Sequence, residues 1–265
     1  HATRCIPIIK ELLLLNCKVL VAGDSAVTAL LKKEFPELVF LPLIDYNIKY
    51  SKNSFWLPVK MLLQVPHIIK SIYIENRWLK DAVNKYTIDA VISDNRFGLY
   101  HTSIPAVYIT HQLLIKTGTS LSEKLAQKIH YYFIKKYTKC WVPDFLGEYN
   151  LAGELSHPLY KPANIEYIGG LSRFEKQTGI EKKYDLLIII SGPEPQRTVF
   201  EKLLIEQLKN YNGKALFVRG LPVNNTPVAA FNNVTFVDHL SSAELTIAIQ
   251  QSSVVISRAG YTTVM

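Results

Sequence analysis

Apolar positions along the chain recur with two periods, and the alternation between them organises the sequence. Over Ala2–Asn16, Ile6, Ile9 and Leu13 join Ile8, Leu12 and Leu15 on one broad face, which predicts an amphipathic helix. Lys18–Ala22 reads as a short buried strand, and Asp24-Ser25 then caps a helix through Phe35. Leu38–Leu43 is strand-like, and an irregular Tyr/Asn/Lys stretch runs from Asp45 to Asn53. Helical periodicity returns between Trp56 and Tyr86, with an interruption expected near Pro66. Ile88–Ser93 and Ala106–Thr110 are β-branched runs that each end in a polar loop, Ser120–Lys139 is helical, and Cys140–Val142 is another short strand.

The texture changes over Asp144–Glu175, which is rich in Gly, Pro, Ser and Asn and reads as an interdomain connection. Alternation then resumes, with strands at Tyr184–Ile190, Lys214–Val218, Val234–Val237 and Val254–Ile256 and helices at Gln196–Asn210 and Ala243–Gln251. Strands separated by helical crossovers predict parallel sheets. The expected fold class is α/β, with two Rossmann-like domains facing a cleft. The expected boundaries are a first domain over 1–155, a connection over 156–175 and a second domain over 176–265. No short-period repeat is present.

Composition narrows this picture. The chain has 265 residues, 48% of them hydrophobic, enough for two cored domains and too apolar for disorder. No run approaches the roughly 18–20 apolar residues of a membrane span, which predicts a soluble protein. Thirty Lys and Arg against 22 Asp and Glu give +8, a balance that attracts phosphate or simply decorates a solvated surface. Cys5, Cys17 and Cys140 are odd in number and set in apolar contexts, so they read as buried free thiols of a reducing compartment. The cytosol is the expected location.

In open parallel sheets, ligands bind beyond the carboxyl ends of the strands. Ser191-Gly192-Pro193-Glu194-Pro195-Gln196-Arg197 follows one strand and opens a helix. A glycine there lets backbone approach a phosphate, and free N–H groups favour an anion; an ordinary strand–helix turn is the plain alternative. Ser257-Arg258-Ala259-Gly260-Tyr261-Thr262-Thr263 follows another strand, and its guanidinium, glycine and hydroxyls suit a diphosphate as well as they suit a capped turn. His1 stands at the start of the first helix, and His111 in Ile109-Thr110-His111-Gln112 ends a strand; each is a candidate base or a structural imidazole. Asp94-Asn95-Arg96 reads as a polar turn. Glu123–Lys139 carries five lysines among aromatic residues, which fits an anionic membrane surface or acidic acceptor, or a helix with aromatics packed inward. The stacking patterns of single-strand nucleic-acid binders are absent, and no nucleic-acid partner is expected.

These segments, in this order, resemble a family. His1-Ala2-Thr3-Arg4-Cys5 is similar to the end of the Gly-x-Gly-His turn of GT-B glycosyltransferases, closest to the family-28 type of the peptidoglycan N-acetylglucosaminyltransferase and its nucleotide-sugar hydrolase relatives. Thr110-His111-Gln112 resembles that family's strand-end cluster, and Gly169-Gly170-Leu171-Ser172-Arg173 its Gly-x-x-x-Arg junction. Ser191-Gly192 stands where the family has its Gly-Gly-Ser donor loop, and Arg258-Ala259-Gly260 resembles its Arg-Ser-Gly motif. Pro193-Glu194-Pro195 departs from the family's small residues.

The resemblance implies a metal-independent, inverting transferase that moves a sugar from a nucleoside-diphosphate donor, expected to be UDP-linked, to an acceptor hydroxyl. No cofactor is implied beyond that co-substrate. Arg173, Ser191, Gly192, Arg258, Ala259, Gly260, Thr262 and Thr263 would hold the diphosphate. His1 would be the base, with His111 second. A glycan or lipid-linked acceptor and peripheral contact with the inner face of the membrane are the further expectations. Hydrolysis of the nucleotide sugar, or its binding without catalysis, are the alternatives. The family's glycine turn would precede His1 and its acidic ribose ligand would follow Met265, so the chain reads as a piece lacking both ends.

Overall fold

A computed structural model describes residues 2–43, 57–192, 194–221, 231–258 and 260. The chain divides into two compact units, His1–Ala29 with Leu38–Leu171 and Leu30–Glu37 with Ser172–Met265. Both are α/β with parallel sheets.

The first unit opens with α1 (Ala2–Leu14), β1 (Leu20–Gly23), the start of α2 (Ser25–Glu34) and β2 (Val39–Pro42). Asp24 begins α2 as the sequence predicts, its Oδ1 accepting from the Val27 N–H at 2.9 Å. β1 and β2 pair in parallel. After α3 (Leu57–Tyr86) come β3 (Val91–Asp94), β4 (Ala106–Ile109), α4 (Ser120–Ile134), β5 (Lys139–Val142) and β6 (Ile165–Tyr167), and the four strands form a parallel sheet in the order β3-β4-β5-β6. Ala106, Tyr108, Leu113, Ile134, Cys140 and Val142 form its core.

Three features differ from the sequence reading. The helix is not interrupted at Pro66, which lies inside α3. A proline removes one backbone hydrogen bond, but Ile72, Leu79, Ala82 and Val83 bury one face of the same helix, and packing outweighs the local loss. Helix α4 stops at Ile134, short of Lys139, because the Asn164 side-chain amide takes the carbonyls of both Ile134 and Tyr137 at 3.0 Å. That asparagine also leads into β6, a strand within the Gly- and Pro-rich stretch that carries too few apolar residues to announce itself.

The second unit contains β7 (Tyr184–Ile189), α5 (Gln196–Leu208), β8 (Ala215–Val218), β9 (Val234–Val237), α6 (Ser242–Gln250) and β10 (Ser252–Ser257). The strands are parallel in the order β10-β7-β8-β9, so β7 and β10 lie side by side although some sixty residues separate them. Leu187, Ile188, Ala215 and Phe217 are fully enclosed, which explains why β7 and β8 read as unbroken apolar runs. Helix α6 begins with a capping box in which Ser241 and Glu244 satisfy each other's backbone N–H groups. All three cysteines are free thiols; Cys140 is buried, whereas Cys17 is exposed, contrary to the expectation of three buried thiols, because it follows the exposed end of α1.

Candidate functional site

Each unit gathers its chemistry-bearing residues at the carboxyl edge of its sheet. In the second unit this edge joins two of the predicted loops. Ser191 and Gly192 leave β7, Arg258 leaves β10, and the Arg258 Nη1 donates to the Ser191 carbonyl at 3.3 Å. Gly192 has φ +108, and a Cβ built on it would lie 1.8 Å from Arg258 Nη1. The left-handed backbone favours glycine there, and a side chain would have to displace the end of the Arg258 side chain. Ser191 and Gly192 are exposed and Arg258 is half-buried, so a cation, an accessible backbone and a hydroxyl share one surface. The Gly260 N–H donates to the Arg258 carbonyl at 2.7 Å, which folds the second loop back on itself.

Arg173 occupies a different part of the same unit. Its Nη1 donates to Ser242 Oγ, at the start of α6, at 3.2 Å, and burial lowers its pKa. His1, Ala259, Thr262 and Thr263 lie outside the described residues.

Beneath the first loop runs a buried ionic network that sequence reasoning missed. Arg197 donates to Glu194 Oε1 at 2.6 Å, to Glu201 Oε2 at 3.1 Å and to the Arg219 carbonyl at 3.0 Å. Arg219 donates to Glu201 Oε1 at 2.6 Å and to Asp238 Oδ1 at 2.8 Å. Residues leaving β7, β8 and β9 are thus tied to the first turns of α5. The Arg197/Glu201 spacing was legible as a helix-face pair, but the strand-end arginine that completes it is far away in sequence. Gly220, with φ +69, lets this edge close up, since a Cβ there would meet the Ile190 carbonyl oxygen at 2.3 Å.

In the first unit the sequence singled out His111, and the structure adds Arg4 and Asp94. Arg4 is 1% exposed on α1. Its Nε donates to Asp94 Oδ1 at 2.8 Å, Nη2 reaches the same oxygen, and Nη1 meets His111 Nδ1 at 2.8 Å. Asp94 ends β3 and His111 follows β4, so the polar turn at Asp94 is one arm of a three-element cluster. Burial, and then the Arg4 charge, push the His111 pKa down to about 4. The Cys5 thiol donates to Asp94 Oδ2 at 3.6 Å and is pushed up to about 12 by burial and by that carboxylate. Asp144, after β5, is enclosed; burial alone would raise its pKa, but hydrogen bonds from the Leu151, Phe145 and Ala152 N–H groups and Ser156 Oγ hold it below the usual range.

The face of α4 turned to solvent is amphiphilic. Leu121, Leu125, Ile129 and Tyr132 are exposed, and Lys124, Lys128 and Lys135 are exposed among them, while Phe133 and Ile134 point inward. Among the described residues, no helix is long and apolar enough to cross a membrane.

No family model matches the chain, and no curated protein matches it. Solved structures do. The kitacinnamycin glycotransferase aligns over 98% of this chain and 72% of its own, at 13% identity and a TM-score of 0.58. The glycosyltransferase SnogD from Streptomyces nogalater aligns over 98% and 74%, at 11% identity and 0.55. A UDP-N-acetylglucosamine 2-epimerase aligns over 98% and 71%, at 13% identity and 0.53. At these identities the likeness speaks to architecture, and it spans nearly the whole chain: this protein has the GT-B fold of glycosyltransferases.

Proposed function

We propose that the protein transfers a sugar from a nucleoside-diphosphate donor, UDP-linked by preference, to an acceptor hydroxyl, with inversion and without a metal. The observation that carries this reading is the meeting of Gly192 and Arg258 at the carboxyl ends of adjacent strands. A departing diphosphate gathers negative charge in the transition state, and fixed N–H groups with a guanidinium beside them stabilise that charge without reorganising. Ser191 and the Gly192 backbone take the near phosphate and Arg258, with Gly260 two residues on, neutralises it; Ala259, Thr262 and Thr263, which lie outside the described residues, and Arg173, which stands at the start of α6, complete the proposed donor set. The similarity in fold to a UDP-N-acetylglucosamine 2-epimerase, as well as to glycosyltransferases, supports a nucleotide-sugar substrate.

The acceptor must lose a proton as it attacks the anomeric carbon. Direct displacement of the diphosphate by that oxygen inverts the centre. His1, which precedes α1 in the sequence, is the proposed base. His111 is the weaker candidate, because its Nδ1 lies against a guanidinium and a conjugate acid near 4 makes a poor proton acceptor at neutral pH. The exposed Leu121, Leu125, Ile129 and Tyr132 with their flanking lysines support peripheral attachment to an anionic bilayer, and with it a lipid-linked acceptor.

The test is release of UDP from a panel of UDP-sugars, with and without candidate acceptors. Acceptor-dependent release, reduced at least tenfold in Arg258→Ala, is expected. Release of free sugar without acceptor would make the protein a hydrolase, and no release from any donor would overturn catalysis altogether.

A further inference from the structure

The cluster at the carboxyl edge of the first sheet determines more than the position of His111. A guanidinium has five N–H donors and no lone pair to accept with, and it stays charged at any pH a folded protein survives. The 2.8 Å contact between Arg4 Nη1 and His111 Nδ1 is therefore a hydrogen bond only if Nδ1 offers its lone pair. The proton of the neutral ring then sits on Nε2. Arg4 cannot turn away to accommodate the other form, because Asp94 Oδ1 receives both its Nε and its Nη2 and the side chain is enclosed.

We infer that Arg4 is a positioning residue that fixes His111 as its Nε2–H tautomer, so that whatever oxygen this histidine meets, it meets as a hydrogen-bond donor. The chemical class is a hydroxyl, carboxylate or phosphate oxygen. Among the described residues, the charged groups that act on the ring include Arg4 from α1, Asp94 at the end of β3 and Asp144 after β5, and the chain's N-terminal amine adds to the Arg4 effect. The two carboxylates favour a second proton on the ring, but the nearest charge is the guanidinium on Nδ1, where that proton would have to go. This cluster thus supplies a donor, and proton removal falls to another group.

The state of the ring stands on this geometry alone; its use on a substrate oxygen rests on the glycosyl-transfer reading. The first measurement is therefore made on the protein without substrate: nitrogen-15 NMR of histidine-labelled protein, with the His111 ring identified by its loss in His111→Gln. The expected result is a ring protonated only on Nε2 that does not titrate between pH 7.5 and 5.5. An Nδ1–H ring, or a midpoint near the ordinary value of about 6.5, overturns the inference whatever the enzyme does. In Arg4→Met the same ring should titrate higher than in the wild type, with burial still holding it below the ordinary value; if that variant does not fold, the wild-type spectrum still decides.

The second measurement is turnover. A glutamine amide can donate but is no base, so His111→Gln should keep UDP release within about tenfold of wild type while His111→Ala loses more. Equal loss in both variants overturns the donor role and leaves the tautomer result intact.

Discussion

Single residues set the acid limit of this protein and the geometry of its donor loop. His130 is enclosed on α4, edge-on to Phe97, its Nδ1 has no hydrogen-bond partner among the described residues, and burial pushes its pKa down to about 4. An unfolded chain binds a proton on this ring below about 6.5, and the folded one only near 4. Unfolding therefore takes up a proton between these values, and stability that is complete above 6.5 falls with pH until about 4, below which the loss is saturated. For His130 that loss is on the order of 3 kcal/mol, and His111 adds in the same direction. Urea unfolding at pH 7 and pH 4.5 should show the drop, and His130→Phe should shrink it; an equal drop in the variant would contradict the assignment. At Gly192 the expected effect is on binding instead. Gly192→Ala puts a methyl where the Arg258 guanidinium lies, in backbone that disfavours a side chain. UDP affinity should fall at least tenfold, with a melting temperature little changed because the loop is exposed.

Elements carry the second tier of expectations. Removing Pro66 from the interior of α3 restores a donor and relieves its clash with the preceding turn, so Pro66→Ala should stabilise the protein by about 1–3 kcal/mol in chemical denaturation. The buried network at the start of α5 works in the opposite sense. Glu201→Ala leaves Arg197 and Arg219 enclosed without their shared carboxylate, at a cost of about 3–5 kcal/mol. Loss of under 1 kcal/mol would mean that the network is solvated and does not hold the loop. At this scale the sequence was most legible, since the order of strands and helices and the Asp24 cap follow from local periodicity and side-chain chemistry. Pro66, β6 and the end of α4 were misread or hidden because each is decided by contacts distant in sequence, such as Asn164 reaching back to Ile134. The same reason hid Arg4. It reads as an unremarkable helix cation until the fold brings Asp94, ninety residues on, against it.

At the scale of the whole molecule, the +8 charge acquires a location in part. Three lysines stand exposed among the solvent-facing apolar side chains of α4, an arrangement that pairs burial in the headgroup layer with attraction to anionic lipid. Sedimentation with phosphatidylglycerol-rich vesicles should exceed that with neutral phosphatidylcholine vesicles, fall with salt, and drop in a Leu121→Ser, Leu125→Ser variant. Equal behaviour with both lipids would remove the membrane from the account. The predicted fold class, α/β with parallel sheets, agrees with the structure, and the likeness to glycosyltransferases extends over nearly the whole chain. The donor site is the part on which function turns. Calorimetric titration of UDP into the wild-type protein and into Arg258→Ala tests it most directly. Saturable binding that stabilises the wild type by about 2.7 kcal/mol at a hundredfold excess over Kd is expected, with at least tenfold weaker binding in the variant. Binding that is absent in the wild type, or equal in the two proteins, would contradict the donor-site assignment.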